Sequence, residues 1–340
     1  MNSKFSQTAV TPKTTRATPK KAAKVVKVIS FNINTDRRWA KDNTIGLATP
    51  YYNLEENRGP EIVLKVVESG AELVILFEVD PDAVEFIEAQ FSSHGYKCSH
   101  FTYNKSRLAF SFMVLSKNEK LLKHIEAIPL TKSGSYIEDS ARPCAPKAGE
   151  AATPEYLAYK EEILLDPFER TVIKVSIGNV DYYCTHLGLQ NNARMLQTQM
   201  LREIVETQSI SKARSFIIFG DFNSFDATKS TPTLLAEQIE ILSSMYGVTW
   251  DSKHILATFR AFIFDIVFKM IVEEKDEYFR LLKAGLVAEF RAFCELMADK
   301  YGLGGCALDH VFSSEELQVH VDAVDMGSLS DHFMMVMTIE

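Results

Sequence analysis

Residues 215–224 read Ser-Phe-Ile-Ile-Phe-Gly-Asp-Phe-Asn-Ser, and they form the strongest structural signal in the chain. The short apolar run, bounded by turn residues, is typical of a buried β-strand. Gly220 then allows a sharp change of backbone direction and the close approach of a ligand. Asp221 and Asn223 follow, so this strand ends in a carboxylate and in an amide that can both donate and accept hydrogen bonds. An ordinary turn capped by Asp has the same composition. The functional interpretation of Asp221 and Asn223 therefore depends on the other strand ends of the chain.

Other short apolar runs in the chain also end in polar or ionisable residues. Val25 to Phe31 precedes Asn32, and Leu73 to Phe77 precedes Glu78. Alternating runs at 171–177 and 180–184 flank a Gly-Asn turn and predict a β-hairpin. Such ends carry eight candidate site residues: Asn32, Glu78, His186, Asp221, Asn223, Asp309, Asp331 and His332.

Amphipathic segments lie between these strands. Apolar residues at helical spacing before Gly70 predict a helix over 58–69, and Pro81 is expected to open another. Alternation of strands and helices indicates an α/β layered core. Further helices are predicted over 192–207 and 233–248, and further strands over 101–116, 121–129, 307–312 and 333–339.

Two segments interrupt the α/β pattern of a domain that we expect to extend over residues 25–340. Residues 131–160 are rich in Ser, Gly, Pro and Ala, which predicts an inserted loop. Residues 254–305 predict a helical insertion with a Phe-rich apolar stripe. The insertion is consistent with a pair of packed helices, and also with a lid or a lipid-facing lobe beside an active site.

The charge of the chain is uneven. Residues 1–24 contain six Lys or Arg and no acid, and their composition predicts a disordered basic tail. The tail is consistent with a solvated end, a targeting peptide or a tether to anionic lipid or nucleic acid. The whole chain has a net charge of −8, so the remainder carries −14 once these six cations are removed. A body this acidic does not indicate a broad nucleic-acid surface.

The composition is that of a soluble globular protein, with 46% hydrophobic and 24% charged residues. No run of about eighteen uncharged apolar residues occurs, so we expect no transmembrane segment. The five cysteines have no metal-ligand spacing, and the N-terminus has no apolar core of a secretory signal peptide. We therefore expect a reducing intracellular compartment.

Four of the eight candidate residues are carboxylates, namely Glu78, Asp221, Asp309 and Asp331. Several carboxylates converge in a folded protein only with a compensating cation. Hard oxygen ligands without a Cys or His cluster favour Mg²⁺, with Mn²⁺ as a substitute. Histidines and amides beside such an ion are what hydrolysis at phosphorus requires.

The candidate residues lie in motifs that, in this order, resemble the endonuclease/exonuclease/phosphatase superfamily of Mg²⁺-dependent phosphoesterases. The resemblance extends over about residues 25–339 and implies a four-layer α/β sandwich of two packed mixed β-sheets flanked by helices. The motifs are Ser30-Phe31-Asn32, Leu76-Phe77-Glu78-Val79, Thr185-His186-Leu187, Gly220-Asp221-Phe222-Asn223, Leu308-Asp309-His310-Val311-Phe312 and Ser330-Asp331-His332.

The resemblance also implies a metal site and a water-activating group. Glu78 would hold the metal, with Asn32 beside it and Asp331 near enough to help. Asp221 would orient or deprotonate the attacking water. Asn223 would bind the phosphate and fix Asp221.

Two histidines would act on the substrate itself. His332 would contact the scissile phosphate, and Asp309 would hold its ring in one tautomer. His186 would donate to a phosphate oxygen or to the leaving group. Water would attack phosphorus in line, without a covalent enzyme intermediate.

The chain departs from the family pattern at two places. Phe77 stands where the family usually has Gln, and the usual Pro after the Ser-Asp-His motif is absent. Neither change removes a catalytic atom. The favoured function is hydrolysis of a lipid or another small phosphoester. The alternatives are a nuclease acting on DNA or RNA and a catalytically silent scaffold. Residues 1–24 or 254–305 could contact an anionic membrane.

Deleting residues 1–24 should leave the rate on soluble substrates unchanged, because neither a solvated tail nor a tether would contribute a group to the site. The measurement is the steady-state rate of the full chain and of the deletion variant on the same soluble phosphoester. A collapse of that rate would contradict the tether hypothesis.

Overall fold

The computed structural model describes most of the predicted α/β domain. The tail over 1–24, the loop over 131–160 and the insertion beyond His254 lie outside the described residues, as does Asp331. The described residues are 26–33, 58–102, 111–130, 170–188, 191–223, 234–245, 247–254, 308–326, 330 and 332–340.

The first of two six-stranded sheets has the strand order β11-β12-β1-β2-β4-β3. Its β1 and β2 pair in parallel, whereas its other neighbours pair antiparallel. The sheet is therefore mixed. Its strands are β1 (Val26–Asn32), β2 (Leu73–Val79), β3 (Lys97–Thr102), β4 (Ser111–Ser116), β11 (Val319–Val324) and β12 (Met334–Ile339).

The second sheet has the order β5-β6-β7-β8-β10-β9 and is also mixed, because only β7 and β8 among its described pairs run in parallel. The hairpin predicted at 171–184 forms β6 and β7. The strands are β5 (Ile125–Pro129), β6 (Thr171–Ile177), β7 (Val180–His186), β8 (Ser215–Asp221), β9 (Val248–Trp250) and β10 (Asp309–Ser314).

Three apolar layers separate four layers of secondary structure. The central layer joins the two sheets, with Ile75 of the first packing in the same cluster as Ile217 and Phe219 of the second. Helices α1 (Gly59–Glu68) and α2 (Val84–Ser92) cover the first sheet, and α3 (Asn191–Gln208) and α4 (Leu234–Ser243) cover the second. The predicted four-layer sandwich is confirmed.

Strand β8 shows why a continuous apolar run marks the interior of this fold. Ile217 and Phe219 point into the layer between the sheets, whereas Phe216 and Ile218 point toward α3 and α4. All four side chains are buried. A strand covered on both faces needs apolar residues at every position rather than at alternate ones.

Some predicted boundaries were wrong. The strand predicted over 101–116 is two strands, β3 and β4, and the helix predicted over 233–248 ends at Ser243, so that Val248 begins β9. Strand β11 was not predicted. It has the sequence Val-His-Val-Asp-Ala-Val and lies at a sheet edge, where half of its side chains face solvent and no continuous apolar run is needed.

No helix among the described residues has both the length and the apolar character needed to span a membrane.

A buried carboxylate fixes the start of β7. Asp181 is fully buried and accepts hydrogen bonds from Arg214 Nε at 2.9 Å, Arg214 Nη2 at 2.8 Å, Ser176 Oγ at 2.6 Å and Ser209 Oγ at 2.7 Å. Burial raises the pKa of Asp181, but the hydrogen bonds from Arg214, Ser176 and Ser209 outweigh burial and lower the pKa below its usual value. The carboxylate therefore stabilises the folded state in its ionised form.

Replacing Asp181 by Ala should lower the free energy of unfolding by about 3 kcal/mol at pH 7, because the variant removes the common acceptor of Arg214, Ser176 and Ser209 from a buried position. The folded-state pKa lies below the unfolded-state pKa. The stabilisation is therefore complete above the unfolded-state pKa and is lost as pH falls through the folded-state value. Urea unfolding should show the largest difference between wild type and variant above about pH 5, and a shrinking difference below about pH 4.

The control is Arg202→Gln, which breaks a surface pair with Glu206 at 2.8 Å and should cost less than about 1 kcal/mol. An Asp181→Ala effect no larger than that of the control would contradict the stabilising role.

Candidate active site

The candidate residues gather where strands of the two sheets end. Asn32 ends β1, and His186 and Asp221 end the parallel strands β7 and β8, opposite each other in register. Asp309 opens the antiparallel strand β10 and is in register with Asp221. Strand order and direction thus bring residues separated by more than two hundred positions to one rim of the sandwich.

Asn32 joins the two sheets at this rim. Its buried amide nitrogen donates to Glu78 Oε1 at 2.9 Å and to Asp221 Oδ2 at 3.4 Å, and lies 3.3 Å from His332 Nε2. Ser330 holds the backbone around Asn32, because its hydroxyl donates to the Asn32 carbonyl at 2.8 Å and accepts from the His332 amide at 3.1 Å.

Glu78 reaches the rim because β2 contains a β-bulge. The pairing of β2 with β4 shifts between Leu76 and Val79, and Glu78 has a left-handed φ of 55°. Val74, Leu76 and Val79 all pack in the apolar layer beneath α1 and α2. In a regular strand Glu78 would occupy the position that Val79 takes, so the bulge keeps the carboxylate out of the apolar layer.

The turn after β8 is also held in unusual backbone conformations. Gly220 has a φ of 126°, and a Cβ at this position would lie 2.0 Å from the Thr185 carbonyl oxygen. Asn223 has a φ of 50°. Its backbone amide donates to Asp221 Oδ1 at 2.7 Å, and its side-chain Nδ2 donates to the Leu187 carbonyl at 2.7 Å.

Both candidate histidines face the rim through Nε2. His332 Nδ1 lies 2.9 Å from Asp309 Oδ2, and its Nε2 lies 3.6 Å from Asp221 Oδ2. His186 Nε2 lies 3.4 Å from Glu78 Oε1 and 3.7 Å from Asp221 Oδ2. Burial holds the pKa of His186 well below its usual value, and the charges of Arg170 and His332 act in the same direction. His186 is therefore neutral near pH 7.

Asp221 is a buried carboxylate whose pKa is shifted upward. Burial raises its pKa to about 7, with the charges of Asp309 and Glu78 adding to this effect and the charge of His332 opposing it. Ligand atoms of Glu78, His186 and Asp221 all lie within 4.8 Å of one another. A divalent cation would compensate this convergence of carboxylates, and the oxygen-rich donors fit Mg²⁺ or Mn²⁺.

Seven of the eight candidate residues are described, and the structure brings all seven together: Asn32, Glu78, His186, Asp221, Asn223, Asp309 and His332. Asp331 lies outside the described residues, so its role as a metal ligand stays a prediction.

Two buried arginines beside the site were not among the candidate residues, because the sequence shows them only as scattered basic residues. The sequence places Arg170 and Arg194 far apart without a basic cluster, yet both are buried. Arg170 lies near enough to His186 to affect its pKa, and the Arg194 guanidinium donates to the Asn223 carbonyl. The sequence showed Arg194 only as a basic residue among helix-favouring neighbours in the helix predicted over 192–207.

No protein-family model and no curated protein matches the sequence of this chain. Solved structures of similar fold include an endonuclease/exonuclease/phosphatase from Bacteroides vulgatus, with 14% identity, a TM-score of 0.55 and coverage of 94% of this chain and 99% of that chain. A mannosyl-6-phosphatase from Bacteroides thetaiotaomicron has 12% identity, a TM-score of 0.54 and coverage of 93% and 99%. ANGEL2, a 2′,3′-cyclic phosphatase solved with adenosine-2′,3′-vanadate, has 12% identity, a TM-score of 0.56 and coverage of 93% and 95%.

These likenesses, together with the two packed six-stranded sheets, show that the chain has the endonuclease/exonuclease/phosphatase fold. The resemblance inferred from the sequence motifs is thus confirmed for the fold.

Replacing Gly220 by Ala should lower the free energy of unfolding by about 3 kcal/mol or more, because the new Cβ would overlap the Thr185 carbonyl. The matched control is Gly178→Ala, which also has a positive φ of 58° but no atom within 4 Å of the new Cβ. The control should lose about 1 kcal/mol. Urea unfolding measures both, and equal losses in the two variants would contradict the proposed close approach of β8 to β7.

Proposed function

We propose that this protein is a metal-dependent phosphoester hydrolase in which water attacks phosphorus in line. The observation that carries the proposal is the convergence of two carboxylates, an amide and two imidazoles at one rim of the sandwich. In-line displacement at phosphorus requires a base, hydrogen-bond donors and a source of positive charge. Two structural neighbours are described as phosphatases, which supports this class of reaction.

In this proposal Glu78 and Asn32 hold Mg²⁺, with Asp331 as a further ligand and Mn²⁺ as a substitute ion. When bound, the ion supplies positive charge that polarises the phosphoryl oxygens. The donor chemistry of Glu78 supports this assignment, because a carboxylate oxygen suits these hard cations, and the Asn32 amide nitrogen holds that carboxylate at the rim. The bulge at Glu78 supports it as well, since it places this carboxylate, which is 19% exposed, at the rim rather than in the core.

Asp221 is the proposed base that accepts a proton from the attacking water. Its Oδ1 is held by the Asn223 amide, whereas its Oδ2 faces Asn32, His186 and His332. Burial raises the pKa of Asp221, which makes this carboxylate a stronger proton acceptor than an ordinary aspartate. Asn223 both fixes this carboxylate through its backbone and, in the proposal, contacts the phosphate.

The histidines are the proposed donors to the phosphate group. Asp309 holds the Nδ1 side of His332, so that Nε2 faces the rim and can contact a phosphate oxygen. Neutral His186 can donate from Nε2 to a phosphate oxygen or to the leaving oxygen. The new bond from the water oxygen to phosphorus forms as the bond from phosphorus to the leaving oxygen breaks. Asp221 takes the proton of the attacking water, and the leaving oxygen takes up a proton from solvent water, because neutral His186 supplies only a hydrogen bond.

The proposed substrate is a lipid or another small phosphoester. The net charge of −8 supports this choice over a nucleic acid, whose phosphates require neutralisation by many Lys or Arg. Contact with an anionic membrane through residues 1–24 or 254–305 and an intracellular reducing location stay part of the proposal.

Glu78→Gln and Asp221→Asn should each lower kcat by about 10²–10⁴-fold, because each removes a group that acts on the reacting atoms. Glu119→Gln is the control and should leave the rate unchanged, because it removes an exposed carboxylate in the turn after β4. The measurement is hydrolysis of nitrophenyl phosphoesters, phosphoinositides and sphingomyelin with Mg²⁺, with EDTA, and after Mg²⁺ is restored.

Activity that survives EDTA or Glu78→Gln would overturn the metal assignment. Supercoiled and single-stranded nucleic acids are included in the same assay. Nicking that Asp221→Asn abolishes, without turnover of small phosphoesters or lipids, would instead identify a nuclease, and no turnover of any substrate would favour a silent scaffold.

A further inference from the structure

We propose that Arg194 and Gln197, on one face of α3, are positioning residues that hold the two loops carrying His186 and Asn223 in register. This inference deepens the proposed function and rests on it for its catalytic consequence. That α3 determines the geometry of both loops does not depend on the proposed function.

The first contact joins α3 to the turn after β8. Arg194 is 3% exposed, and its Nη1 donates to the carbonyl oxygen of Asn223. Asn223 has a left-handed φ of 50°, a region that Asn enters more readily than other non-glycine residues do. The guanidinium holds the Asn223 carbonyl through a charge-assisted hydrogen bond and thereby fixes the orientation of this peptide group.

The second set of contacts transmits the Asn223 conformation to the site. With this backbone geometry, the Asn223 amide donates to Asp221 Oδ1, and its side chain donates to the Leu187 carbonyl, each at 2.7 Å. Leu187 immediately follows His186, and its own amide donates to the Asp221 carbonyl at 2.9 Å. A shift of Asn223 would therefore move both the proposed base and the segment that carries His186.

The third contact returns from the His186 loop to the same helix. Gln197 lies three residues after Arg194, so both side chains project from one face of α3. Its Oε1 accepts a hydrogen bond from the Gly188 amide at 2.8 Å, and the residue is 2% exposed. Arg194, Asn223, Leu187, Gly188 and Gln197 thus form a closed circuit of buried contacts between one helix and two loops.

Helix α3 is a rigid support for this circuit. Leu201 and Val205 pack in the apolar layer against the second sheet. Thr198 donates to the Arg194 carbonyl at 2.8 Å and accepts from Gln238 Nε2 of α4 at 3.0 Å, all within buried surroundings. Groups carried on a packed helix hold a neighbouring loop to a small tolerance, which reacting groups require.

The test compares Arg194→Gln and Arg194→Lys with Arg202→Gln. Arg202 is a partly exposed arginine of the same helix that pairs with Glu206 and donates to Ser244, away from both loops. Arg194→Gln should lower kcat about 10–100-fold with a KM change below about threefold, since loss of an orienting group misplaces the reacting groups. Arg194→Lys should recover part of that loss because it restores the charge and a donor. Arg202→Gln should keep kcat within about twofold.

A double-mutant cycle tests whether Arg194 acts on the His186 segment through the hydrogen bond from the Asn223 side chain to Leu187, the one contact of this route that Asn223→Ala removes. If it does, the loss of kcat in the double variant Arg194→Gln with Asn223→Ala should be smaller than the product of the two single losses. Fully multiplicative losses would overturn this route to Leu187.

Hydrogen exchange gives a readout that needs no substrate. The amides of Phe222 and Asn223, in the turn after β8, should exchange faster in Arg194→Gln than in Arg202→Gln. The Gly188 amide should exchange faster in Gln197→Met, which keeps the side-chain length but removes the acceptor. Unchanged exchange in both loops would overturn the inference. Faster exchange in a protein that hydrolyses no phosphoester would support the positioning role and overturn the proposed function alone.

Discussion

The hydrogen bonds of the buried Asn32 amide are the interaction on which the arrangement of the site depends. Asn32 ends a strand of the first sheet, and its nitrogen lies within 3.4 Å of acceptor atoms on Glu78 and Asp221 and 3.3 Å from His332 Nε2. Asp221 belongs to the second sheet. A neutral donor between two carboxylates reduces their mutual repulsion, and it sets the distance between the two sheets at the rim.

Two buried aspartates of the second sheet illustrate opposite uses of a carboxylate. Asp181, near the start of β7, accepts hydrogen bonds from Arg214 and two serines, and its pKa is lowered although burial acts in the other direction. Asp221, at the end of β8, has its pKa raised to about 7, mainly by burial. Since β7 and β8 run in parallel, these residues lie at opposite ends of the two strands. One end carries a carboxylate that stabilises the fold in its ionised form, and the other carries a carboxylate whose pKa is raised by burial.

Unusual backbone conformations are concentrated at the same rim. Glu78 and Asn223 have left-handed φ angles, and Gly220 has a φ that only glycine adopts without strain. Each conformation redirects a polar group: the bulge moves the Glu78 carboxylate out of the apolar layer, and the turn aims the Asn223 amide at Asp221. Surrounding contacts such as the Arg194 hydrogen bond maintain these conformations, whose cost is of order 1–3 kcal/mol each. The packed sandwich supplies the stability that this requires.

The printed sequence alone was enough to place the buried strands, the covering helices and the candidate polar residues at strand ends. Apolar periodicity and turn residues are local signals, and β2, β7 and β8 show them clearly. Edge strand β11 has no such continuous signal and was missed. Only the tertiary structure established the bulge at Glu78, the circuit through Arg194 and Gln197, and the burial that raises the pKa of Asp221. These features depend on contacts between residues far apart in the chain and on exclusion of water, neither of which a local pattern records.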